Sequence, residues 1–193
     1  MPGIKISGIT NTEDARWAAI LGVEFISVSL SEGDPVKVSP DMAAQISGML
    51  PSYTAVVLEV PGPENAGRRL LEKISPKYIE YPVPDEPPQI PERFTDVRKL
   101  VPAAGVSVER TPEDGFYQVR VPEEYSEGFM GEIKENFESD KLILSGNMEL
   151  PRIKKICGVL QPYAWSLGSE INRSPRKIDY GKMKEYIREI SLW

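Results

Sequence analysis

The stretch "IKISGITNTEDARWAAILG", Ile4 to Gly22, holds the unit from which the rest of the chain is built. Its opening "IKISGI" alternates apolar and polar residues with the period of a β-strand. Gly8 and a Thr-Asn-Thr turn interrupt that alternation. "TEDARWAAILG" then reads as a helix, with Thr12 as N-cap and Gly22 as its stop. A strand that ends in a small polar residue and a glycine, just ahead of a helix, is where α/β proteins place their chemistry. Ser7 stands at that position.

The unit recurs along the chain. "VEFISVSL" is a second strand, and "SPDMAAQISGML" follows as a helix with Ser39 as cap, Pro40 at the first helical position and Ala43, Ile46 and Leu50 at helical spacing. "YTAVVLEV" reads as a buried strand, "PENAGRRLLEKI" as a helix and "KYIEY" as a short strand. The rhythm then fails, because "PVPDEPPQIPERF" holds five prolines between Pro82 and Pro91. Proline at that density does not continue a regular helix, so the fourth crossover is expected to be an extended loop. Weaker strand signals follow near Val97 to Val101 or Gly105 to Val108, and then "FYQVRV". A helix around Gly128 to Phe137, the strand "KLILS", the helix "LPRIKKICGVL", the strand "AWSLG" and a closing helix from Asp179 to Ile190 complete the series. Seven or eight βα units in 193 residues predict an α/β fold of the (βα)8 TIM-barrel type, one domain over residues 1–193 with eight parallel strands and an irregular fourth crossover. An open flavodoxin-like sheet would be complete with five units.

Composition narrows the chemistry. Histidine is absent, which excludes His-based acid/base catalysis, Ser-His-Asp triads and the ordinary zinc sites. Carboxylates, Ser, Lys, Tyr and backbone amides are what remain, with no cofactor or metal site expected. The single cysteine, Cys157, has no partner for an internal disulfide. No apolar run approaches the length of a membrane span and no leader is visible, so a cytoplasmic protein is expected, as a monomer or homodimer. A net charge of -6 with no Lys/Arg-rich face argues against nucleic-acid binding.

Four stretches, "IKISGITNTEDA", "DPVKVSP", "LILSGNM" and "WSLGSEINRSPRKIDYGKMKEYI", resemble in order and spacing the phosphoribosylanthranilate isomerase family of tryptophan biosynthesis. The likeness is carried by the two ends of the chain and fades in the middle. It implies a barrel that binds a phosphorylated sugar and an Amadori rearrangement of an aminoaldose to an aminoketose. That reaction needs an acid for the ring oxygen and a base for the C2 proton. The family's base is a cysteine in a motif like "KICGIT", and Ser7 stands at its position. Its acid ends a strand of the second half, where "QVRVPEEY" offers Arg120 or Val121, with Glu123 and Glu124 just beyond as replacements. The arginine of a stretch like "SPRYVSP", which holds the substrate carboxylate, matches Val36, with Lys37 beside it as a substitute cation. A family aspartate ahead of the last phosphate loop matches Ala164.

The phosphate end is better kept. In such barrels a phosphate rests on N–H groups of the loops after strands 7 and 8. The resemblance places that site at Gly146 and Asn147 of "SGN" and at Ser166, Gly168 and Ser169 of "SLGSE". Plain structural roles compete with these assignments. Ser7 also suits a crowded barrel mouth as a small residue, Glu123 and Glu124 suit a solvated loop, and the basic residues of "NRSPRK" suit a solvated turn. Cys157 falls in an apolar stripe with Ile153, Ile156 and Leu160 and reads as core. Tyr163 and Trp165 read as strand aromatics packed under helices, and the proline stretch as a loop rather than a polyproline ligand. Two function classes follow. One is an isomerase of this family with substituted groups; the other is a non-catalytic or repurposed phosphosugar-binding barrel.

Overall fold

A computed structural model describes residues 2–83, 97–103, 115–174 and 176–193. Strands β1 (Gly3–Ile6), β2 (Phe25–Ser29), β3 (Ala55–Glu59) and β4 (Tyr78–Pro82) alternate with helices α1 (Thr12–Ile20), α2 (Pro40–Met49) and α3 (Arg68–Ile74). The second half carries β5 (Val97–Pro102), β6 (Phe116–Val121), α4 (Glu127–Asn136), β7 (Leu142–Gly146), α5 (Leu150–Cys157), β8 (Ala164–Leu167) and α6 (Tyr180–Ile190). The eight strands close into a barrel in chain order, sealed where Gly3 pairs with Ala164 and Ile6 with Leu167. A short hairpin, β9 (Asn172–Ser174) with β10 (Lys177–Ile178), follows the last barrel strand.

The barrel is mixed rather than all parallel. β5 runs antiparallel to both β4 and β6, with Glu80 opposite Leu100, Pro82 opposite Arg98 and Arg98 opposite Gln118. This corrects the expectation of eight parallel strands, and its cause lies in the connections. A parallel neighbour requires a crossover of a dozen or more residues, usually helical, whereas an antiparallel one does not. The sequence from Pro82 to Pro91 carries five prolines, a composition that disfavours such a helix. The fourth crossover itself lies outside the described residues.

Helix starts follow the capping residues, with one shift. The α1 cap is Asn11 rather than Thr12, its side chain accepting from the Asp14 N–H at 2.8 Å. Ser39, Ser126 and Asp179 cap α2, α4 and α6 in the same way. The segment expected as one helix after β3 is a single 3-10 turn, Pro63–Asn65, separated from α3 by Ala66 and Gly67.

Strand alternation divides the apolar residues between two cores. Outward-facing Ile4, Ile6, Val28, Leu58, Ile79, Val119, Leu144 and Trp165 pack under helix residues such as Ala15, Ala18, Ile46, Ile153, Ile156 and Met183. Inside the barrel, Phe25, Ala55, Val57, Leu100, Ile143 and Ala164 form a plug with Tyr78, Phe116 and Tyr163. Its rings meet at angles, Phe25 with Phe116 at 5.6 Å and Phe116 with Tyr163 at 4.6 Å between centroids. The plug fills only the lower half of the barrel. Above it the inward positions turn polar, with Lys5, Ser27, Glu59, Glu80, Gln118 and Ser166 all buried.

Candidate functional site

Above the plug the barrel opens into a cavity of about 480 Å³ walled by residues from several strand ends and their loops. Glu59, Glu80, Arg98 and Gln118 line it on the side of β3 to β6, with Arg120 and Glu123 beyond them. Ser7, Ser145, Gly146, Asn147, Ser166, Gly168, Ser169, Glu170, Glu149 and Lys182 line the side of β7, β8 and their loops.

The floor is an ion cluster. Lys5 and Glu80 are both fully buried and paired; Lys5 Nζ donates to Glu80 Oε2 and, at 2.8 Å, to Gln118 Oε1. Gln118 Nε2 donates to the other Glu80 oxygen at 3.3 Å, and Arg98 Nε stands 2.9 Å from the same oxygen. Glu80 therefore faces two cations and an amide. Glu59 is held less firmly. It accepts a hydrogen bond from Ser27 Oγ, and Arg98 Nη1 stands 3.5 Å from its second oxygen. Burial, then the neighbouring Glu80 charge, push the Glu59 carboxyl above its ordinary value, against the opposing pull of Lys5, Arg98 and Ser27. The two carboxylates thus differ in environment. Arg98 reaches this place because β5 is reversed.

The opposite wall is built from backbone. At Gly146 φ is +126°, and a Cβ there would lie 2.5 Å from the Val121 carbonyl, so only glycine lets β7 pass β6 so closely. Glu170, in the 3-10 turn Ser169–Ile171 after β8, accepts from the Met148 N–H and from the Gly168 N–H, each at 2.7 Å. It ties the β7 and β8 loops together. Arg152 of α5 donates to the carbonyls of Asn147 at 3.0 Å and Val121 at 3.2 Å, and its guanidinium lies over Tyr125. This fixes the β6 and β7 loops against each other.

The structure brings together most of the residues singled out from sequence. Ser7, Glu123, Gly146, Asn147, Ser166, Gly168 and Ser169 all line the one cavity, with Ser7 and Gly146 at the same end of the barrel. Ser7 Oγ lies 2.8 Å from Ser166 Oγ. Asn147 Nδ2 donates to Glu123 Oε1 at 3.5 Å. Lys37 and Glu124 are not on that wall: Lys37 pairs with exposed Glu32, and Glu124 is exposed. Val36 packs beside Gly8, whose φ of +75° bends the chain away from β1. Ala164 is buried in the plug. Arg176 of "NRSPRK" donates to the Lys37 carbonyl at 3.2 Å, away from the cavity wall. Cys157 packs against the outer core and burial raises its thiol pKa, which makes it a poorer nucleophile. Trp165 is fully buried beneath the helices, and Tyr163 donates to Glu24 at the end of the barrel opposite the cavity.

Sequence reasoning passed over Glu59, Glu80, Arg98 and Gln118. A signal for two of them was present: "YTAVVLEV" and "KYIEY" each carry one carboxylate inside an otherwise apolar or aromatic strand. Among the described residues no helix is long and apolar enough to cross a membrane, and no group of three or more His, Cys, Asp or Glu is placed to hold a metal ion.

Similarity to known proteins extends over the whole barrel. The N-(5'-phosphoribosyl)anthranilate isomerase of Geobacter sulfurreducens is 26% identical over 214 residues, covering 100% of each chain. Those of Nitrosococcus oceani and Acidithiobacillus ferrooxidans are 28% identical over 199 residues and 24% over 200, with at least 96% of each chain covered. The chain is a diverged relative of the phosphoribosylanthranilate isomerases. Their fold is this barrel: the Thermotoga maritima enzyme superposes with a TM-score of 0.72 at 20% identity over 100% of both chains. A phosphoribosyl anthranilate isomerase in complex with reduced 1-(o-carboxyphenylamino)-1-deoxyribulose 5-phosphate gives 0.74 at 18%, again over 100% of both. No protein-family model matches the chain.

Proposed function

We propose that this chain binds a phosphorylated sugar at the barrel mouth and that the Amadori rearrangement of the related isomerases is not its activity. The observation that carries this reading is the partner of Ser7. At the position of the family's base, a hydroxyl faces only the Ser166 hydroxyl at 2.8 Å among its described side-chain hydrogen bonds, and the chain has no histidine to take the proton. A serine hydroxyl without a base is not a nucleophile or a base at neutral pH. Arg120 on the wall and Val36 against Gly8 leave the positions of the family's acid and carboxylate clamp without their usual groups.

Phosphate binding rests on backbone, which tolerates side-chain change. The loops carrying Gly146, Asn147, Gly168 and Ser169 face the cavity, and Glu170 and Arg152 hold them in place. Lys182 adds a cation on the same wall. A full-length relation to isomerases favours a second reading, in which the rearrangement survives with Glu123 as acid. We place the protein in the cytoplasm, as a monomer or homodimer.

One pair of measurements separates the readings. Calorimetry with ribose 5-phosphate should show binding, and a steady-state assay with N-(5-phosphoribosyl)anthranilate should show no turnover above a Ser7→Ala control. Turnover at an ordinary enzymatic rate would establish the second reading; absence of binding would remove the phosphate site.

A further inference from the structure

The cavity floor holds chemistry that the phosphate reading does not use. Glu59, at the end of β3, and Glu80, in the middle of β4, stand side by side on the wall of the same cavity that the β7 and β8 loops line. Their surroundings are unequal. Glu80 is fully buried, with Lys5, Gln118 and Arg98 all directed at it. Glu59 has one hydroxyl donor and a more distant guanidinium, and it borders open volume. A carboxyl beside a second, fully paired carboxyl group, under an arginine and facing a ligand cavity, is placed to exchange a proton with a ligand.

We propose that Glu59 is a proton-transfer residue that exchanges a proton with the carbon next to the carbonyl of an open-chain phosphosugar, the sugar's phosphate lying on the β7 and β8 loops. The inference rests on the phosphosugar reading and adds the group that acts on the ligand. In the step, the Glu59 carboxylate takes the proton from C2 of an aldose. The C–H pair becomes the C1–C2 double bond, and the carbonyl pair moves to oxygen. The resulting enediolate carries its charge on oxygen, where the Arg98 guanidinium is the neighbouring cation. Return of the proton to C1, with transfer of the O2 proton to O1, gives the ketose and restores the carboxylate. No oxidant, reductant or second substrate is consumed. The charged groups bearing on Glu59 are Lys5 from β1, Glu80 from β4 and Arg98 from β5, with Arg120 and Glu123 on the same wall. An open-chain sugar also dispenses with the ring-oxygen acid that the related isomerases need and this cavity lacks at the expected position.

The test uses the intact chain with ribose 5-phosphate in D2O, following deuterium at C2 by proton NMR and binding by calorimetry. Deuterium should enter with the parent chain. Glu59→Gln should slow that exchange by about 100-fold or more while ribose 5-phosphate affinity stays within about twofold. Glu59→Asp, with the carboxylate one methylene shorter, should give an intermediate rate and covers a glutamine variant that fails to fold. Binding without deuterium entry, or entry that Glu59→Gln and Glu59→Asp leave at the parent rate, would overturn the role of Glu59 and leave the phosphosugar reading standing. Absence of binding would overturn both.

Discussion

Glu170 accepts the Met148 N–H at 2.7 Å from across the gap between two strand loops, and its other oxygen takes the Gly168 N–H of its own loop. The residue is largely buried, so a bond lost here is poorly replaced by water. Glu170→Gln keeps the shape but turns an amide NH2 toward a backbone N–H, leaving one donor unsatisfied at a cost of ~1–3 kcal/mol. Urea denaturation should show that loss. Stability within error of the parent would mean that the loops are held by other contacts.

The Lys5–Glu80 pair lies in the barrel interior with both side chains fully buried. Removing Lys5 leaves buried Glu80 with Arg98 as its one remaining described cation, whereas replacing both partners with apolar residues removes the buried carboxylate as well. Lys5→Met should therefore destabilise the fold by ~3–5 kcal/mol. Lys5→Met with Glu80→Leu should recover part of that loss in the same denaturation measurement.

Stability should also depend on the Glu59 proton. Burial and Glu80 raise the folded-state pKa of Glu59 from its ordinary value of 4.5. A raised carboxyl pKa means that the folded chain binds the proton more tightly than the unfolded chain, so stability falls as pH rises through the interval between the two values. Glu59→Gln removes this dependence. Relative to the parent, the variant should gain stability as pH increases above about 4.5, with the gain levelling off above the folded-state pKa. Denaturation curves from pH 4 to pH 8 check the sign, and a difference that shrinks with pH would contradict the assigned shift.

Two glycines at the mouth should behave differently. Gly146 has φ of +126° and would bring a Cβ to 2.5 Å from the Val121 carbonyl, so Gly146→Ala should cost stability, ~1–3 kcal/mol by the usual scale of backbone strain. Gly168 has its nearest neighbours at 3.9 and 4.0 Å, Glu170 Oε2 and Ser7 Cβ. A larger side chain at Gly168 enters the cavity without a clash of that kind. Gly168→Val should leave thermal stability near the parent value while weakening ribose 5-phosphate binding by ~10-fold or more, about 1.4 kcal/mol. Unchanged affinity by calorimetry would count against phosphate on these loops.

These contrasts show what could be read from sequence and what could not. The barrel was legible because period-2 and period-3.6 segments alternate with caps such as Ser39 and Asp179, all local signals. The reversal of β5 was not, since "VRKLVP" has the same alternation read in either direction, and strand polarity depends on how the connecting segments travel. The loops after β7 and β8 that line the cavity were singled out through the family resemblance of "SGN" and "SLGSE". The ion cluster was not, because Lys5, Glu59, Glu80, Arg98 and Gln118 come from five strands and meet only when the barrel closes.

Ser7 stands where the related isomerases carry their base, on the wall of the cavity. If the family's rearrangement is missing because its proton-transfer groups are replaced, restoring them at the same strand ends should bring some of it back. Ser7 and Arg120 both line the cavity, so a thiol and a carboxylate placed there would face the same volume. A cysteine has a reference pKa near ~8.5 and supplies some thiolate at neutral pH, which a serine does not. Each proton-transfer group contributes ~10²- to 10⁴-fold in rate, but groups acting on one transition state do not contribute independently. Ser7→Cys alone or Arg120→Asp alone should accordingly gain little. Ser7→Cys with Arg120→Asp should turn over N-(5-phosphoribosyl)anthranilate detectably above the parent, and adding Val36→Arg should lower KM more than it raises kcat. If the parent chain already turns the substrate over and Ser7→Ala leaves that rate intact, the base lies elsewhere in the cavity, and Glu59 is the next residue to replace.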